Sequence, residues 1–152
     1  TELMEYANIN NLKYSYKTVN GDEDIIFTSW RNDIDYIMAA SDAILLTSNN
    51  EGTPVSLIEA QASKLPIIST NVGGVIDIVK DNAILINKND AYALSNAMLK
   101  LVNGQFIDDK ILENRQDFIM KNYSIDNLVS NIKYTYIELL ENKVHSKKTK
   151  IF

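Results

Sequence analysis

The chain has 152 residues, 45% hydrophobic and 23% charged, which suits one globular domain with a real core and excludes a disordered chain. Its formal net charge of −5 argues against nucleic acid as a partner, because a phosphate backbone selects a basic face. The absence of cysteine excludes disulfide and thiolate chemistry, and a single histidine, His145, leaves little from which to build a histidine-based metal site or triad.

The chain opens on Thr-Glu-Leu-Met-Glu, without the basic and apolar regions of a signal peptide. No apolar run approaches the ~20 residues of a membrane helix. A cytoplasmic location is expected, with peripheral contact at the inner face of a membrane left open.

Leu3 to Tyr6 reads as a helical turn, and Leu12 to Lys17 alternates like an exposed strand. Nothing in this stretch resembles the βα unit that starts a doubly wound sheet, so the chain is expected to begin in mid-domain. Asp24 to Thr28 reads as a buried strand. Asp33 to Ala40 follows as a helix with Ile34, Ile37 and Met38 on one face. Ala43 to Leu46 is a second strand. Pro54 to Ser63 is a helix with Pro54 at its first position and Thr53 as its cap. Ile67 to Ser69, entered through Pro66, is a third strand, and Gly73-Gly74 opens a short helix through Val79. Ala83 to Ile86 is a fourth strand. Asp90 caps a helix to Val102 with Leu94, Ala97, Met98 and Leu101 inward. Ile111 to Lys121 and Ile125 to Leu140 are two further helices, the second starting near Ser124 or Asp126. In it Tyr134, Tyr136, Ile137 and Leu140 read as helix packing. Lys143 to Lys150 is a basic tail, read as a solvated, frayed end rather than a membrane anchor.

Strands alternating with helices across short loops predict an α/β fold, a Rossmann-like doubly wound parallel sheet with extra C-terminal helices. The domain is placed at residues 1–142, lacking its first βα units, and the tail at 143–152. Strands apolar throughout are expected to be covered on both faces. Ligands of such sheets sit beyond the carboxyl ends of the strands, so the loops after Thr28, Leu46 and Ser69 are the ones to inspect.

The second of these loops carries the chemistry. Glu51-Gly-Thr-Pro-Val-Ser-Leu-Ile-Glu59 places two carboxylates around a helix start. The amides of Val55 and Ser56 face out of the helix end beside the positive pole of its dipole, a seat for a diphosphate. Glu59 shares a face with Ser56 and Ser63, away from the apolar stripe of Leu57, Ala60 and Leu65. A carboxylate there can accept from vicinal hydroxyls such as a ribose diol. Glu51 can accept from a second set of hydroxyls beyond the phosphates. Polyol, phosphate and second polyol together outline a nucleotide sugar. The plain alternative, that Glu59 is a solvent-facing helix residue and Glu51 a loop charge, stays open on pattern alone.

The same segment resembles the E-x7-E motif of retaining GT-B glycosyltransferases, specifically glycosyltransferase family 4. Its flanks agree. Phe27-Thr-Ser-Trp-Arg31 with Asn32-Asp-Ile34 resembles the family's F-x-G-W/F-R-x-D-I segment. Ala40-Ser-Asp42 followed by Thr47-Ser48 resembles its A-A-D…P-S, and Pro66 to Gly74 its P-V-V-A-T-x-V-G-G. The resemblance runs from about Asp24 to about Leu140 and is carried by this ordered set of motifs. It implies that Glu59 binds the nucleotide ribose, and that Glu51 contacts the hydroxyls of the donor sugar and positions it for transfer. Backbone amides at Gly52, Thr53, Val55 and Ser56 would hold sugar and phosphates. Thr28, Ser29 and Trp30 would frame the base, and Gly73 and Gly74 border the donor pocket. Read on its own, Trp30 is a packing residue rather than a base platform. Two departures stand out: Pro54 replaces a frequent glycine and removes an amide, and Ser29 replaces the glycine before the tryptophan.

The family also carries an acceptor-binding N-terminal domain, and an Arg and a Lys that clamp the donor diphosphate. This chain offers neither; Lys13 and Lys17 lie in the wrong context, and Arg31 is a weak substitute. The expectation is therefore the C-terminal part of a hexosyltransferase of polysaccharide, capsule or glycolipid synthesis. Its partners would be a nucleotide sugar and the missing N-terminal domain or subunit, with no nucleic acid. No metal or other cofactor is expected: Asp33-Ile-Asp35 has the bare Asp-x-Asp spacing but reads as helix. By itself the chain is expected to bind donor feebly and not to turn over. The first rival is a non-catalytic nucleotide-sugar-binding module or subunit. The second, an epimerase, lacks a placed acid-base histidine.

Overall fold

The computed structural model describes residues 2–79, 83–105 and 108–148, with side chains through residue 141. They form two compact units, Thr1–Ile37 and Met38–Phe152. The first unit contains α1 (Glu2–Ile9), β1 (Tyr14–Tyr16) and β2 (Ile25–Phe27). The two strands pair in parallel, Tyr14 opposite Ile25 and Tyr16 opposite Phe27. Helix α1 is longer than the expected turn, and its small residue Ala7 is fully buried. The rings of Tyr14 and Phe27 meet edge to face with centroids 5.6 Å apart. The turn before β2 is closed by Glu23, whose carboxylate accepts from the amides of Asn20 at 2.7 Å and Gly21 at 2.9 Å.

Helix α2 (Ile34–Ala39) spans the junction of the units. The second unit continues through β3 (Ile44–Leu46), α3 (Val55–Ala62), β4 (Ile67–Thr70), α4 (Val75–Ile78) and β5 (Ala83–Ile86). It closes with α5 (Ala91–Val102), α6 (Asp109–Asn122) and α7 (Ile125–Lys148). Its sheet has the order β3-β4-β5, all parallel, with Ile44 opposite Ile67 and Ile67 opposite Ala83. The expected α/β architecture of parallel strands joined by helices is present, distributed over a two-stranded and a three-stranded sheet. Among these strands only β4 is buried at every position. Ile26 of β2 and Leu45 of β3 remain exposed, so continuous apolarity marked a two-sided environment for β4 and not for β2 and β3.

The core of the second unit joins Met38, Leu57, Ala60, Leu65, Ile67, Val75, Ile78 and Val79. Fully burying one large aliphatic side chain contributes about 1.5–3 kcal/mol. The stripe of α3 therefore fixes the roll of that helix. Gln61, also buried, donates to the carbonyls of Leu57 at 3.0 Å and Ile78 at 3.3 Å and ties α3 to α4. Helix α6, whose Leu112 and Ile119 are buried, packs on α3. Gln116 bonds the carbonyl of Ala62 there, and Lys64 pairs with Glu113 at 3.4 Å.

Two end signals behave as expected: Asp90 accepts from the Ala93 amide at 2.8 Å, and the Ser124 hydroxyl accepts from the Asn127 amide at 3.3 Å. The cap of α6 is Asp108, a residue the sequence reading did not single out. Other expectations are corrected. Of the residues placed inward on α5, Ala97 is buried, Leu94 and Leu101 are half-buried, and Met98 is exposed. Helix α7 runs on to Lys148, past Leu140 and into the stretch read as a frayed tail. Residues 149–152 and the side chain of His145 lie outside what is described. Tyr134, Tyr136, Ile137 and Leu140 do not pack; each is exposed. No helix among the described residues is long and apolar enough to cross a membrane.

Candidate functional site

The loops that leave β3 and β4 at their carboxyl ends are bound to each other backbone to backbone. The Gly74 amide donates to the Glu51 carbonyl at 3.1 Å. A Cβ on Gly73 would stand 1.8 Å from the Glu51 carbonyl oxygen, and one on Gly74 would stand 2.0 Å from that of Gly52. Gly73 also has φ +49°, the left-handed region that glycine adopts without strain. The Gly73-Gly74 pair therefore lets two main chains touch and sets where Glu51 and Gly52 lie. A second tie runs from the Thr70 hydroxyl to the Ser48 carbonyl at 2.7 Å. At Gly52 a Cβ would meet open space.

From this anchored loop the chain enters α3. The cap is Pro54, with φ −72° and ψ 99°, and not Thr53. The proline ring holds φ in the helical range, but its extended ψ keeps it outside the helix, so Val55 is the first helical residue. No side chain caps this end, and the amides of Val55 and Ser56 fall in the first turn, where helices lack internal acceptors. Leu57 and Ala60 are fully buried, which turns Glu59 outward and leaves Ser56 half-buried between. Glu51 is half-buried in the loop. Among the described residues neither Glu51 nor Glu59 has an ion-pair or side-chain hydrogen-bond partner. Two uncommitted carboxylates thus flank an uncapped helix mouth. Such a place can accept from ligand hydroxyls and donate from main-chain amides to an anion.

Thr28, Ser29 and Trp30 belong to the first unit, in the loop after β2. Trp30 is 89% exposed, so the packing role is overturned; its indole nitrogen donates to Asn32 at 3.0 Å. A large ring left this exposed is not a core residue. Arg31 is engaged by Asp33 in a two-pronged pair, which raises the pKa of the guanidinium and lowers that of the carboxyl. Its charge is thereby offset locally. Asp33 precedes α2 and Asp35 lies in its first turn. Among the described residues no group of three or more histidine, aspartate or glutamate side chains converges on one point.

Sequence reasoning missed a cavity of about 370 Å³ at the carboxyl ends of all three strands of the second unit. Thr47, Thr70, Asn87, Asn89 and Asp90 give it a polar rim over Ile86 and Leu94. None of the residues assigned to a donor lines it. The signal that could have found it is position alone, since each strand of a parallel sheet delivers its next residues to that edge.

Residues 7–133 match the family model described as glycosyl transferases group 1. Among known proteins, the chain is 36% identical over 142 residues to the UDP-Gal:alpha-D-GlcNAc-diphosphoundecaprenol alpha-1,3-galactosyltransferase of Escherichia coli, covering 89% of this chain and 35% of that one. It is 22% identical over 133 residues to the N-acetyl-alpha-D-glucosaminyl L-malate synthase of Bacillus anthracis, covering 86% and 35%. Among solved structures, HepE of Anabaena in complex with UDP-glucose superposes with a TM-score of 0.75 at 21% identity, over 90% of this chain and 36% of that one. The C-terminal domain of a glycosyl transferase group 1 family protein from Francisella tularensis superposes with a TM-score of 0.60 at 26% identity, over 82% and 62%. The chain spans about a third of the length of the relatives it matches.

Proposed function

Since this chain belongs to the glycosyl transferases group 1 family, we propose that it is the donor-binding part of a retaining, family 4 hexosyltransferase that uses a UDP-sugar. The observation that carries the reading is the pair of uncommitted carboxylates, Glu51 and Glu59, on either side of the uncapped start of α3. Glu59 accepts from the ribose diol. The amides of Val55 and Ser56, with those of Gly52 and Thr53, hold the diphosphate and the sugar. Glu51, placed by the Gly73-Gly74 crossing, accepts from the hydroxyls of the hexose and positions it. The charge of the leaving diphosphate falls on main-chain amides and on cationic groups supplied from outside this chain, and no resident metal is called for. Uridine as the base is supported by the UDP-Gal in the name of the Escherichia coli relative and by the UDP-glucose bound to HepE. That relative's diphosphoundecaprenol-linked acceptor supports a place in polysaccharide or glycolipid synthesis, with an acceptor presented at a membrane surface.

Titration calorimetry with UDP-, GDP- and ADP-sugars, on the chain and on Glu59→Gln, tests the proposal. Selective binding of the UDP-sugar that is lost in the variant is expected. Binding unaffected by Glu59→Gln overturns the site. Binding intact but no transfer when the missing N-terminal half is added favours a non-catalytic donor-binding module instead.

A further inference from the structure

Three strand exits are locked around the cavity of the second unit. The Thr70 hydroxyl donates to the Ser48 carbonyl at 2.7 Å, which ties the end of β4 to the loop after β3. The Asn71 amide donates to the Ile86 carbonyl at 2.8 Å, which ties the same exit to the end of β5. The turn that follows is closed by the Asp90 amide on the Asn87 carbonyl at 3.3 Å, with Asn89 at φ +63°, a conformation asparagine adopts more readily than most side chains. The walls are built before a ligand arrives, so little ordering opposes binding there.

The groups on those walls select the ligand. Among the described residues the Thr47 hydroxyl and the side-chain amides of Asn87 and Asn89 have no hydrogen-bond partner. Asp90 spends Oδ1 on the Ala93 amide as the cap of α5, and its other oxygen is left over. No lysine or arginine lines the cavity, and the Asp90 carboxylate repels an anion. One carboxylate is too few for a divalent cation. A wholly apolar ligand would strip water from two amides and return no hydrogen bond. A ring of neutral hydroxyls matches. Each carboxamide both donates and accepts, the carboxylate oxygen accepts, and Ile86 and Leu94 form an apolar floor for the C–H face of a pyranose. At about 370 Å³ the cavity lies at the small end of the roughly 300–1,000 Å³ of small-molecule sites.

We propose that this cavity is a second saccharide subsite, which holds a neutral sugar ring of the acceptor glycan through Asn87, Asn89, Thr47 and the free oxygen of Asp90. The assignment to the acceptor rests on the reading of the α3 mouth as the donor seat. No residue given to the donor lines the cavity, so its ring is not the donor hexose. The two places share a wall all the same: the loop that starts at Thr47 also carries Glu51. One loop thereby serves both sugars.

The test is titration of the 15N-labelled chain with methyl glucoside, methyl galactoside and N-acetylglucosamine, read at the side-chain amide signals of Asn87 and Asn89. UDP-glucose is followed in parallel at the Ser56 amide. At least one of the three sugars is expected to move the asparagine signals saturably with a Kd of roughly millimolar order, equally with and without saturating UDP-glucose. Asn89→Gly removes one amide and keeps the left-handed turn, and Asn87→Ala removes the other. Each is expected to weaken sugar binding roughly three- to tenfold, read at the remaining asparagine, with the rest of the spectrum and UDP-glucose binding unchanged. No movement up to the solubility limit of all three sugars overturns the subsite, as does sugar binding that is lost in Glu59→Gln and kept in both asparagine variants. Displacement of the sugar by UDP-glucose gives the cavity to the donor hexose and overturns the acceptor assignment. Inorganic phosphate moving the same signals more strongly overturns the choice of a neutral ring. If UDP-glucose moves nothing while the sugars move Asn87 and Asn89, the donor seat fails and the acceptor assignment with it, and the cavity stands as a sugar site on its own.

Discussion

Glu59 and Glu51 differ in how the fold places them, and this sets what their removal does. Glu59 rides on the second turn of a helix whose roll is fixed by Leu57 and Ala60, both fully buried. Its side chain can therefore be changed without touching the core. Glu59→Gln is expected to leave the melting temperature unchanged and to weaken UDP-sugar binding roughly ten- to a hundredfold, the range of hydrogen bonds to a charged acceptor. Glu51 depends on its backbone, which Gly73 and Gly74 contact at distances that exclude a Cβ. Gly73→Ala or Gly74→Ala is expected to destabilise the second unit by about 2 kcal/mol or more, read from denaturant unfolding. In the first unit the Glu23 carboxyl is pulled down to about 2, first by the Asn20 amide and then by that of Gly21. A carboxyl lowered on folding contributes stability above its unfolded value of about 4.3, and that contribution fades as pH falls toward its folded value. The melting temperatures of the parent chain and Glu23→Gln should therefore differ above about pH 4.3 and converge toward pH 2. A gap that stays constant with pH would refute this. Glu23 is half-buried and its amide bonds lie at an exposed turn, so solvent keeps the effect modest.

Helix ends in this chain divide into two kinds, and the division separates structure from site. Helices α5 and α6 start on aspartates whose side chains bond first-turn amides. Asp90→Ala should cost about 1 kcal/mol of stability, seen as earlier thermal melting, and leave UDP-sugar binding intact. Helix α3 starts on a proline with no side-chain cap, so its first amides remain for a ligand, and filling that mouth with an internal acceptor should compete with donor binding. The apolar face of α7 shows the limit of periodicity. Ile125, Leu128, Val129 and Ile132 recur at helical spacing, yet all are exposed, because spacing tells that a face is apolar and not what covers it.

For the whole molecule, the proposed reading has cations supplied from outside this chain hold the leaving diphosphate. The chain alone is expected to give no sugar transfer from UDP-hexose, and transfer should appear when the N-terminal half is supplied. A radiolabelled-donor assay decides, and turnover by the isolated chain would refute it. Several features were readable from the residues alone: the strand-helix alternation, Asp90 as a cap, the outward Glu59 and the place of the loops after Leu46 and Ser69. These follow from local propensity and from a hydrophobic period, both of which are properties of neighbouring positions. The helix start was misjudged by one residue, since proline satisfies both positions equally in φ and only ψ separates them. Trp30 was misjudged as packing, since its size says nothing of its exposure. The reason for Gly73-Gly74 was out of reach for the same cause: two glycines announce a special backbone, but the carbonyl they press against lies over twenty positions earlier. By itself the sequence determined the α/β class, the order of its elements and the residue types at the helix mouth, because those depend on contacts along the chain. The tertiary structure alone decided which carbonyls meet which glycines, which aromatic rings face water and which carboxylates are left without partners. Those depend on segments far apart in sequence coming within van der Waals distance.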